Sequence, residues 1–474
     1  MRGTDPAGGT RTTRTPPVPA ATVRAVNRLA ARWAAALPPA PGNTVFSAAG
    51  VWPLLAFLAD GATGRARDEL AEALGVRADE AAEAGRGLLA ALRAIRGSEA
   101  ALGVWTRREL ELRPEWRAGI PDGSLGRFGA DPEADARGFD AWAARHTNGL
   151  IGGMPVEVLP DTLLLLAVAQ GLRTRWIRPF EEVPLATGAG PWAGRELAGL
   201  FRRTALLDRV GVAETGAGPL TVLKVLGTDG VDVHLLAGAE GAGRGEVLAA
   251  GVEVLSGTRR VVPGGLLPPG EPGPALRVES VRSTDREPQL DVETVAFDVR
   301  GTHGLLALPG VFGLSAAADP AGRPLAGIGG DAPLAVQGAR HDAVARFHAQ
   351  GFEAASLTVL AAGGGLPREP YRVRRVTFRA GPALRLPRRA PHLAAGAVGG
   401  LGRGAGGVRR AGRGHGPGVR RRRGGHRAAA APRSPGSGQN WRAQESILPV
   451  SALALSVTRS FQVPLAVSEE AFTV

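Results

Sequence analysis

The chain has 474 residues, of which 44% are hydrophobic, and it contains no cysteine. This composition supports a sizeable globular core, and the lack of cysteine excludes disulfide bonds and thiolate metal sites. The N-terminus has no apolar segment of the signal-peptide type, and the longest apolar run, TLLLLAVAQGL, is about half as long as a membrane helix. We therefore expect a soluble protein without a membrane partner, placed in the cytoplasm by the lack of a signal peptide.

The net charge of +13 is concentrated at one end of the chain. Residues 1–378 carry 41 basic and 41 acidic side chains, whereas residues 379–474 carry 16 basic side chains and 3 acidic ones. The first part is neutral, and the basic character belongs to the tail alone. We divide the chain into a disordered leader (1–17), a globular domain (18–378) and an Arg/Gly-rich low-complexity tail (379–474).

The first third of the chain is predicted to be mainly helical. Apolar residues recur at helical spacing over 18–37, and a short strand signal, TVF, precedes a buried helix in SAAGVWPLLAFLADGA. Two amphipathic helices follow in GRARDELAEALGV and ADEAAEAGRGLLAALRAI, and another lies in DARGFDAWAARHTNGLI. Between them ALGVWTRRELEL alternates as a strand does, and DTLLLLAVAQGLRTRW is long and apolar enough for a central strand.

The rest of the globular part is predicted to be mainly strand. From about Leu220 to Arg300 the runs LTVLKVLG, VDVHLLAG, GVEVLSG and LDVETVAFDVR favour strands between Gly/Pro turns, and YRVRRVTF alternates again before the tail. The glycine-rich GAEGAGRGE (238–246) fits neither phosphate-loop pattern and is interpreted as a surface hairpin. Helices followed by strands indicate an α+β domain.

Four blocks occur in a specific order: NTVFSAAGVWPLLAFLADGATGRARDELAEALGV, WAARHTNGLI, TLLLLAVAQGLRTRWIRPFEE and APLAVQGARHDAVARFHAQGFEAASLT. In that order they resemble the serpin family of serine protease inhibitors, over about residues 18–378. The resemblance implies an α+β serpin fold with a large five-stranded sheet A, smaller sheets B and C, eight to nine helices and an exposed reactive loop.

The chain departs from the family pattern at several positions. Val168 stands where the family has an asparagine, Ala48 where it has a proline, and Gly50 where it has a second serine. His348-Ala349 replaces the usual Asn-Glu pair before the hinge glycine. Such drift is typical of a divergent, bacterial-type member.

The resemblance implies a mechanical function rather than an enzymatic one. A serine protease of the chymotrypsin, subtilisin or trypsin type attacks the loop, and the cut loop inserts into sheet A with the acylated protease attached. The native state is then metastable, because backbone pairing is withheld until cleavage. The resemblance predicts a monomer without cofactor and is also compatible with an extracellular location. The alternative is a non-inhibitory or inactive serpin-like protein with a truncated C-terminal core.

The predicted reactive-loop hinge begins at Gly351, which supplies the pivot. Small side chains must pass between parted strands, and on strand alternation Ala354 and Ser356 point inward. Phe352 points inward too, where inhibitors of the family have Thr or Ser. Two interpretations remain open: overpacking of about 1–3 kcal/mol slows insertion, or a widened pocket accommodates the ring. The hinge residues are Gly351, Phe352, Glu353, Ala354, Ala355, Ser356, Leu357 and Thr358.

The scissile bond is placed by counting along the loop. Counting forward from Gly351 places it near Gly365-Leu366, and counting back from RVRRVTF places it near Arg368. Leu366 would suit a chymotrypsin- or subtilisin-like pocket and Arg368 a trypsin-like one. Either residue is also compatible with an ordinary loop position.

Three further residues match structural positions of the family. Ser47 and His341 correspond to the shutter, which ties the central strands of sheet A together, and Trp176 corresponds to the breach at the top of that sheet. From the residues alone, His341 is equally well a satisfied core histidine and Trp176 a core aromatic.

No catalytic or metal-binding motif is present. The sequence has no Gly-x-Ser-x-Gly elbow, Walker loop or His-x-x-x-His pair, and its eight histidines are scattered. We therefore predict no enzymatic activity, no metal site and no cofactor.

The tail has two interpretations. LRLPRR (384–389) can be back-translated so that a one-base shift encodes Phe-Gly-Phe-Leu-Ala, an apolar strand of the kind a serpin needs there. This favours a frameshift between about Phe378 and Leu384, with a disordered tail and lost strands of sheets B and C. The rival is an Arg/Gly tail that binds nucleic acid, which is disfavoured because no aromatic residue lies between Arg379 and Asn440.

Overall fold

A computed structural model describes residues 18–38, 44–129, 131–154, 158–159, 161–186, 196–352, 370–380, 451–456 and 465–468. For 184–186, 196–198, 229, 451–456 and 465–468 it describes the backbone alone. All of these residues belong to one compact unit. Within them no helix is long and apolar enough to cross a bilayer.

The helices gather in the first third, as the hydrophobic periodicity predicts. The central one, α2, is almost entirely apolar and is buried on nearly every side, and the Ser47 hydroxyl caps its first turn by accepting a hydrogen bond from the Gly50 amide. The described residues contain nine α-helices: α1 Ala20–Ala35, α2 Ala48–Gly61, α3 Gly64–Leu74, α4 Ala78–Ala94, α5 Pro114–Gly119, α6 Pro132–His146, α7 Arg244–Leu255, α8 Pro309–Phe312 and α9 Ala326–Gly329.

One predicted strand is a helix. GVEVLSG was expected to be extended, but Gly251–Leu255 forms the end of α7. The Gly243 amide donates to Glu246 Oε2 at the start of this helix, so GAEGAGRGE leads into a capped helix rather than a hairpin. The apolar run is buried against α1 and sheet B. A short apolar segment of this kind fits a buried helix and a buried strand equally well, and tertiary packing decides.

The strands of the described residues number twenty: β1 Thr44–Ser47, β2 Ser98–Thr106, β3 Leu125–Arg127, β4 Leu164–Leu172, β5 Thr174–Arg175, β6 Glu181–Ala186, β7 Glu196–Thr204, β8 Val210–Thr215, β9 Gly218–Leu226, β10 Asp232–Ala237, β11 Val261–Pro263, β12 Gly270–Gly273, β13 Leu276–Ser283, β14 Gln289–Val295, β15 Phe297–Gly304, β16 Arg340–Phe347, β17 Gly351–Phe352, β18 Tyr371–Arg379, β19 Ser451–Ser456 and β20 Leu465–Ser468. Together with the helices they confirm the predicted α+β class.

These strands form four hydrogen-bonded sheets, which we group as sheets A, B and C. Sheet B has the order β1-β20-β19-β10-β9-β8-β11, and sheet C has the order β12-β13-β18-β14-β7-β6. Sheet A consists of two hydrogen-bonded groups, β15-β16-β17-β5 and β3-β2-β4. Arg173 connects the two groups along the chain, because β4 ends at Leu172 and β5 begins at Thr174. This division of sheet A positions the candidate site.

The tail differs from expectation at ten residues. Ser451–Ser456 pairs with the whole of β10, and Leu465–Ser468 pairs with the whole of β1, so these segments lie in sheet B. The sequence predicted disorder and the loss of sheet B strands throughout 379–474. SALALS and LAVS are apolar segments that pair with strand edges which would otherwise be open. The prediction missed them because it was based on the average composition of the whole tail, which is dominated by Arg and Gly.

Two large hydrophobic cores stabilise the unit, and a small third cluster contains Phe128, Phe139 and Leu165. One lies among α1 to α4, α7 and the inner face of sheet A, where the largest side chains, Trp33, Trp52 and Phe57, are at most 1% exposed. The other lies between sheets B and C and continues to the top of sheet A, where it contains Phe347 and Phe352. The hinge aromatic is therefore part of a core.

Candidate functional site: a cleft in sheet A

The candidate site is the cleft that separates the two groups of sheet A. β4 and β16 flank it, and no strand pairing joins them in the described part of the chain. The cleft encloses about 810 Å³, including space open to solvent, and its lining comprises Ser47, Gly50, Val168, Gln170, His341 and Phe352 among others. Its long axis follows two strands with unpaired facing edges, which is the geometry that accepts an added strand.

Ser47 lies at the floor of the cleft and contacts both sides. Its amide donates to His341 Nε2 on β16 at 3.0 Å, and its hydroxyl donates to Gln170 Oε1 on β4 at 2.8 Å. The same oxygen accepts the Gly50 amide of α2 at 3.2 Å. One residue, itself buried, thus ties the first turn of α2 to both flanking strands.

His341 accepts the Ser47 amide and must be neutral at Nε2 to do so. Burial, with a smaller contribution from the neighbouring His303, lowers the pKa of His341 to about 3. The ring therefore remains a hydrogen-bond acceptor at neutral pH. Ser47 and His341, which the resemblance assigns to the shutter, are hydrogen-bonded to each other in the structure.

His303 was not anticipated from the sequence. It lies directly opposite His341 in the β15–β16 ladder, and its Nε2 is 3.0 Å from the Val45 carbonyl oxygen and 3.1 Å from Thr44 Oγ1. Burial lowers the pKa of His303, whereas its hydrogen bond to the Val45 carbonyl acts in the opposite direction. Trp33 contacts both imidazole rings, at 5.3 and 5.4 Å between centroids. The only feature of the sequence that could have indicated this role of His303 was a histidine within an alternating strand.

Gln170 was also missed. The family has a polar side chain at the position of Val168. In this chain Ser47 instead donates its hydrogen bond to Gln170, two residues later on the same strand. Residues two apart on a strand point to the same side, so either position reaches the floor of the cleft. The alternation of side chains along TLLLLAVAQGL could have indicated that Gln170 shares the face of Val168.

The top of the cleft is occupied by the first two hinge residues. Gly351 pairs with Arg175, and Phe352 pairs with Thr174 on one side and Phe347 on the other. A Cβ on Gly351 would lie 2.3 Å from the Thr174 carbonyl oxygen, so only glycine fits. Phe352 is 4% exposed. Of the two interpretations of Phe352, its burial in this slot favours accommodation.

Trp176 holds the turn that leads into these residues. Its indole Nε1 donates to the His348 carbonyl at 2.8 Å, and its amide donates to the Gln350 carbonyl at 3.0 Å. The ring packs 5.0 Å from Phe347, measured between centroids. Trp176 thus links the end of β5 to the turn between β16 and β17.

Most of the predicted loop residues lie outside the described ranges. The structure gives no account of the remaining hinge residues or of the candidate scissile region, namely Glu353, Ala354, Ala355, Ser356, Leu357, Thr358, Gly365, Leu366 and Arg368. The far anchor, β18, is described and lies in sheet C between β13 and β14. Within the described residues no group of three His, Asp or Glu side chains could hold a metal ion.

Comparison with known proteins shows which family the chain is similar to. A family model for serpin (serine protease inhibitor) matches residues 24–188. Serpin-Z2A of Oryza sativa subsp. japonica is 32% identical over 165 residues, which are 31% of this chain and 38% of that protein. Putative serpin-Z5 of the same organism is 34% identical over 193 residues, which are 36% of this chain and 41% of that protein. These matches confirm the resemblance to the serpin family that the sequence predicts.

Solved serpin structures extend the likeness over the fold. Human thyroxine-binding globulin complexed with thyroxine superposes with a TM-score of 0.54 at 15% identity, covering 77% of this chain and 95% of that one. Serpin48 of the insect Tenebrio molitor gives a TM-score of 0.52 at 14% identity, covering 72% and 90%. These identities show the serpin fold alone. The chain matches only 38–41% of the length of the two curated rice relatives.

Proteins with this fold differ in what they do. The family model describes serine protease inhibitors, whereas human thyroxine-binding globulin was solved in complex with thyroxine. The fold alone therefore does not assign an activity to this chain.

Proposed function

We propose that this serpin inhibits a serine-type endopeptidase as a suicide substrate, through cleavage after the hinge and insertion of the cut segment between β4 and β16. The observation that carries the proposal is the position of Gly351 and Phe352. They already pair with β5 and β16 at the upper end of the cleft, and along the rest of the cleft no described strand pairs with the facing edges of β4 and β16. A strand that continues from Phe352 would therefore enter the cleft without any new turn.

The register at Phe352 supports the choice of inserting residues. Phe352 lies opposite Thr174 and Phe347. Continued downward, this register sets Ala354 opposite Leu172 and Ala345, Ser356 opposite Gln170 and Ala343, and Thr358 opposite Val168 and His341. Residues directly opposite share a face, so these small side chains would meet the floor at α2.

Insertion would also supply the free energy that inhibition needs. Nine residues along β4 would gain roughly two backbone hydrogen bonds each, and at about 0.5–1.5 kcal/mol per bond this amounts to on the order of 10 kcal/mol. The protease serine attacks the scissile carbonyl, the peptide C–N bond breaks, and the released amine takes a proton from the catalytic histidine. The acyl ester then moves with the inserting strand.

Within this proposal Ser47, His341 and Trp176 are structural residues. Ser47 and His341 would keep the cleft closed at its floor, because the two flanking strands bond to the same serine. Trp176 would hold the entry turn through the His348 and Gln350 carbonyls. None of the three touches the scissile bond.

The test uses subtilisin, chymotrypsin and trypsin, each incubated with the full chain and separated on a denaturing gel. We expect a covalent complex with at least one of them, and a loop-cleaved chain that melts at a higher temperature than the intact chain. Mass spectrometry of the released peptide assigns the cleaved bond to the Gly365-Leu366 or the Arg368 region.

Two matched variants separate insertion from cleavage. Ala354→Arg would place a charged side chain on the inward face, and Ala355→Arg would place the same side chain toward solvent. We expect the first to be cleaved without complex formation and the second to behave as the parent chain. Clean cleavage of the parent, with free protease and no gain in melting temperature, would instead support a non-inhibitory serpin.

A further inference from the structure

The cleft in sheet A contains a carboxylate oxygen that the described part of the chain leaves without a partner. Asp342 of β16 lines the cleft, and its Oδ1 is buried but accepts no hydrogen bond from any described residue. Asp342 forms no ion pair with a described residue either, whereas Asp298 on the neighbouring strand pairs with Arg346 at 2.9 Å. A carboxylate oxygen that has lost its water without gaining a donor costs free energy. A ligand that carries a donor would remove this cost.

The other polar groups of the cleft are already engaged with one another. At the floor, Ser47 donates through its amide to His341 and through its hydroxyl to Gln170, so both acceptors are in use. Neighbouring residues on a strand point to opposite faces, so Asp342 points away from the floor that His341 reaches. Both residues nevertheless line the same cavity. Asp342 is therefore the group of the lining that selects a ligand by charge.

The rest of the cavity fits an apolar body. Its volume of about 810 Å³, including space open to solvent, lies in the range of roughly 300–1,000 Å³ that is typical of sites for small organic molecules. Much of its lining is aliphatic and comprises Leu92, Ile95, Leu150, Ile151, Val168 and Leu172. A metal ion fits less well, because no group of three His, Asp or Glu side chains within the described ranges could hold one. One carboxylate among aliphatic side chains matches a ligand with one cationic group and an apolar remainder.

We propose that the cleft binds a small organic cation, a primary ammonium group on an apolar body, with the ammonium donating to Asp342 Oδ1 and the body between β4 and β16. The ligand would fill the space in which an added strand pairs with these two strands. It would bind the open-cleft form alone, so it would stabilise this form and oppose strand addition. The site itself stands on the cavity and Asp342, while its effect on strand addition rests on the proposed function.

Calorimetric titration of the full chain at neutral pH tests the site. The probe is 2-phenylethylammonium, and 2-phenylethanol is the control ligand, with the same body and no charge. We expect the ammonium to bind about tenfold more tightly, because a hydrogen bond between charged groups contributes more than one to a neutral hydroxyl. Equal affinity for the two probes, or no binding of the ammonium, would overturn the site.

Three variants assign the binding to the cleft. Asp342→Asn removes the charge and keeps the shape, and we expect it to bind the ammonium about tenfold more weakly than the parent. Asp298→Asn is the matched control, because Asp298 lies on the same face of the sheet and does not line the cavity, and it should bind as the parent does. Val344→Phe enlarges a lining side chain and should weaken the binding of both probes.

The melting temperature of each variant shows that it is folded. Parental affinity in both Asp342→Asn and Val344→Phe, or an equal loss in the two Asn variants, would contradict the assignment. Amide exchange gives the location independently of the variants. The ammonium should slow exchange severalfold at 168–172 and 341–344 in the parent, and unchanged exchange there would place the ligand elsewhere and overturn the site.

Incubation with subtilisin tests the effect on strand addition. With the ammonium present, a smaller share of the chain should end in the covalent complex and a larger share should be cleaved and released. Asp342→Asn should show no such effect, and a small chromogenic substrate shows that the probe leaves subtilisin itself active. If the parent forms no complex with any of the three proteases, the proposed function fails, and the titration still decides the site. If a complex forms and the bound ammonium leaves its yield unchanged, the regulatory effect is wrong.

Discussion

Among single residues, Ser47 carries the most contacts across the cleft. Its hydroxyl both caps α2 and donates to Gln170, and it is buried. Ser47→Ala should lower the free energy of unfolding by about 1–2 kcal/mol, because the Gly50 amide loses its cap and the Gln170 oxygen loses its donor. Urea unfolding followed by tryptophan fluorescence measures this loss.

The same measurement on Gln170→Ala and on the double variant isolates the contact across the cleft floor. The double variant should lose less stability than the sum of the two single variants, because the Ser47–Gln170 bond can be removed only once. If the losses in unfolding free energy of the two single variants add up in the double variant, the capping of α2 accounts for the whole effect of Ser47→Ala.

The buried histidines give the molecule a predictable response to acid. The folded-state pKa is about 3 for His341 and about 4 for His234, below the usual 6.5. The unfolded chain therefore binds more protons as the pH falls, so stability is complete above pH 6.5 and declines toward pH 3–4. His341→Gln keeps an acceptor for the Ser47 amide but cannot titrate.

Between pH 7 and pH 5 the parent should lose stability to both histidines, and His341→Gln should lose on the order of 1–2 kcal/mol less. The urea midpoints of the two proteins at both pH values, with the denaturant slopes compared, provide the measurement. An identical pH dependence would show that His341 does not carry the acid sensitivity.

At the scale of elements, β17 is the first rung of the strand that we propose to insert. Gly351→Ala would bring a Cβ to 2.3 Å from the Thr174 carbonyl, so β17 should separate from β5. Amide exchange at 351–352 should rise severalfold, and Trp176, which bonds to the preceding turn, should change its fluorescence. Gly338→Ala is the control, because a Cβ there meets nothing within 4 Å. Equal exchange in the two variants would contradict the seating of β17.

The sequence predicted the elements better than the contacts between them. Ser47, Trp176, His341 and Gly351 were predicted as site residues because each lies in a block whose order matches the family. Gln170 and His303 were not found, since their roles depend on the register between strands that are far apart in the chain. Periodicity within one segment carries no information about register between segments. For the same reason β13 was predicted as part of a strand-rich region, but not as the partner of β18.

At the scale of the whole molecule, the sheets differ in whether their strands have partners on both sides. Within the described residues β4 and β16 of sheet A have no strand partner across the cleft, whereas β18 of sheet C has partners on both sides. Under the proposed function, the strand pairs gained after cleavage of the reactive segment would form in this cleft.

The tail decides whether sheet B is complete, and two deletions separate its parts. Truncation after Ala380 removes β19 and β20, which leaves the edges of β10 and β1 without the partners they pair with at ten positions. We expect this chain to lose cooperative unfolding, because the missing strands cover edges that must otherwise be solvated. Deletion of residues 391–440 removes the Arg/Gly run but keeps both strands, and it should melt within a few degrees of the parent. Calorimetry compares the three chains. If truncation after Ala380 leaves the melting temperature unchanged, the tail contributes nothing to the stability of the fold. The frameshift hypothesis requires this result. Resequencing of the gene between the codons for Phe378 and Leu384 would then decide whether a frameshift is present.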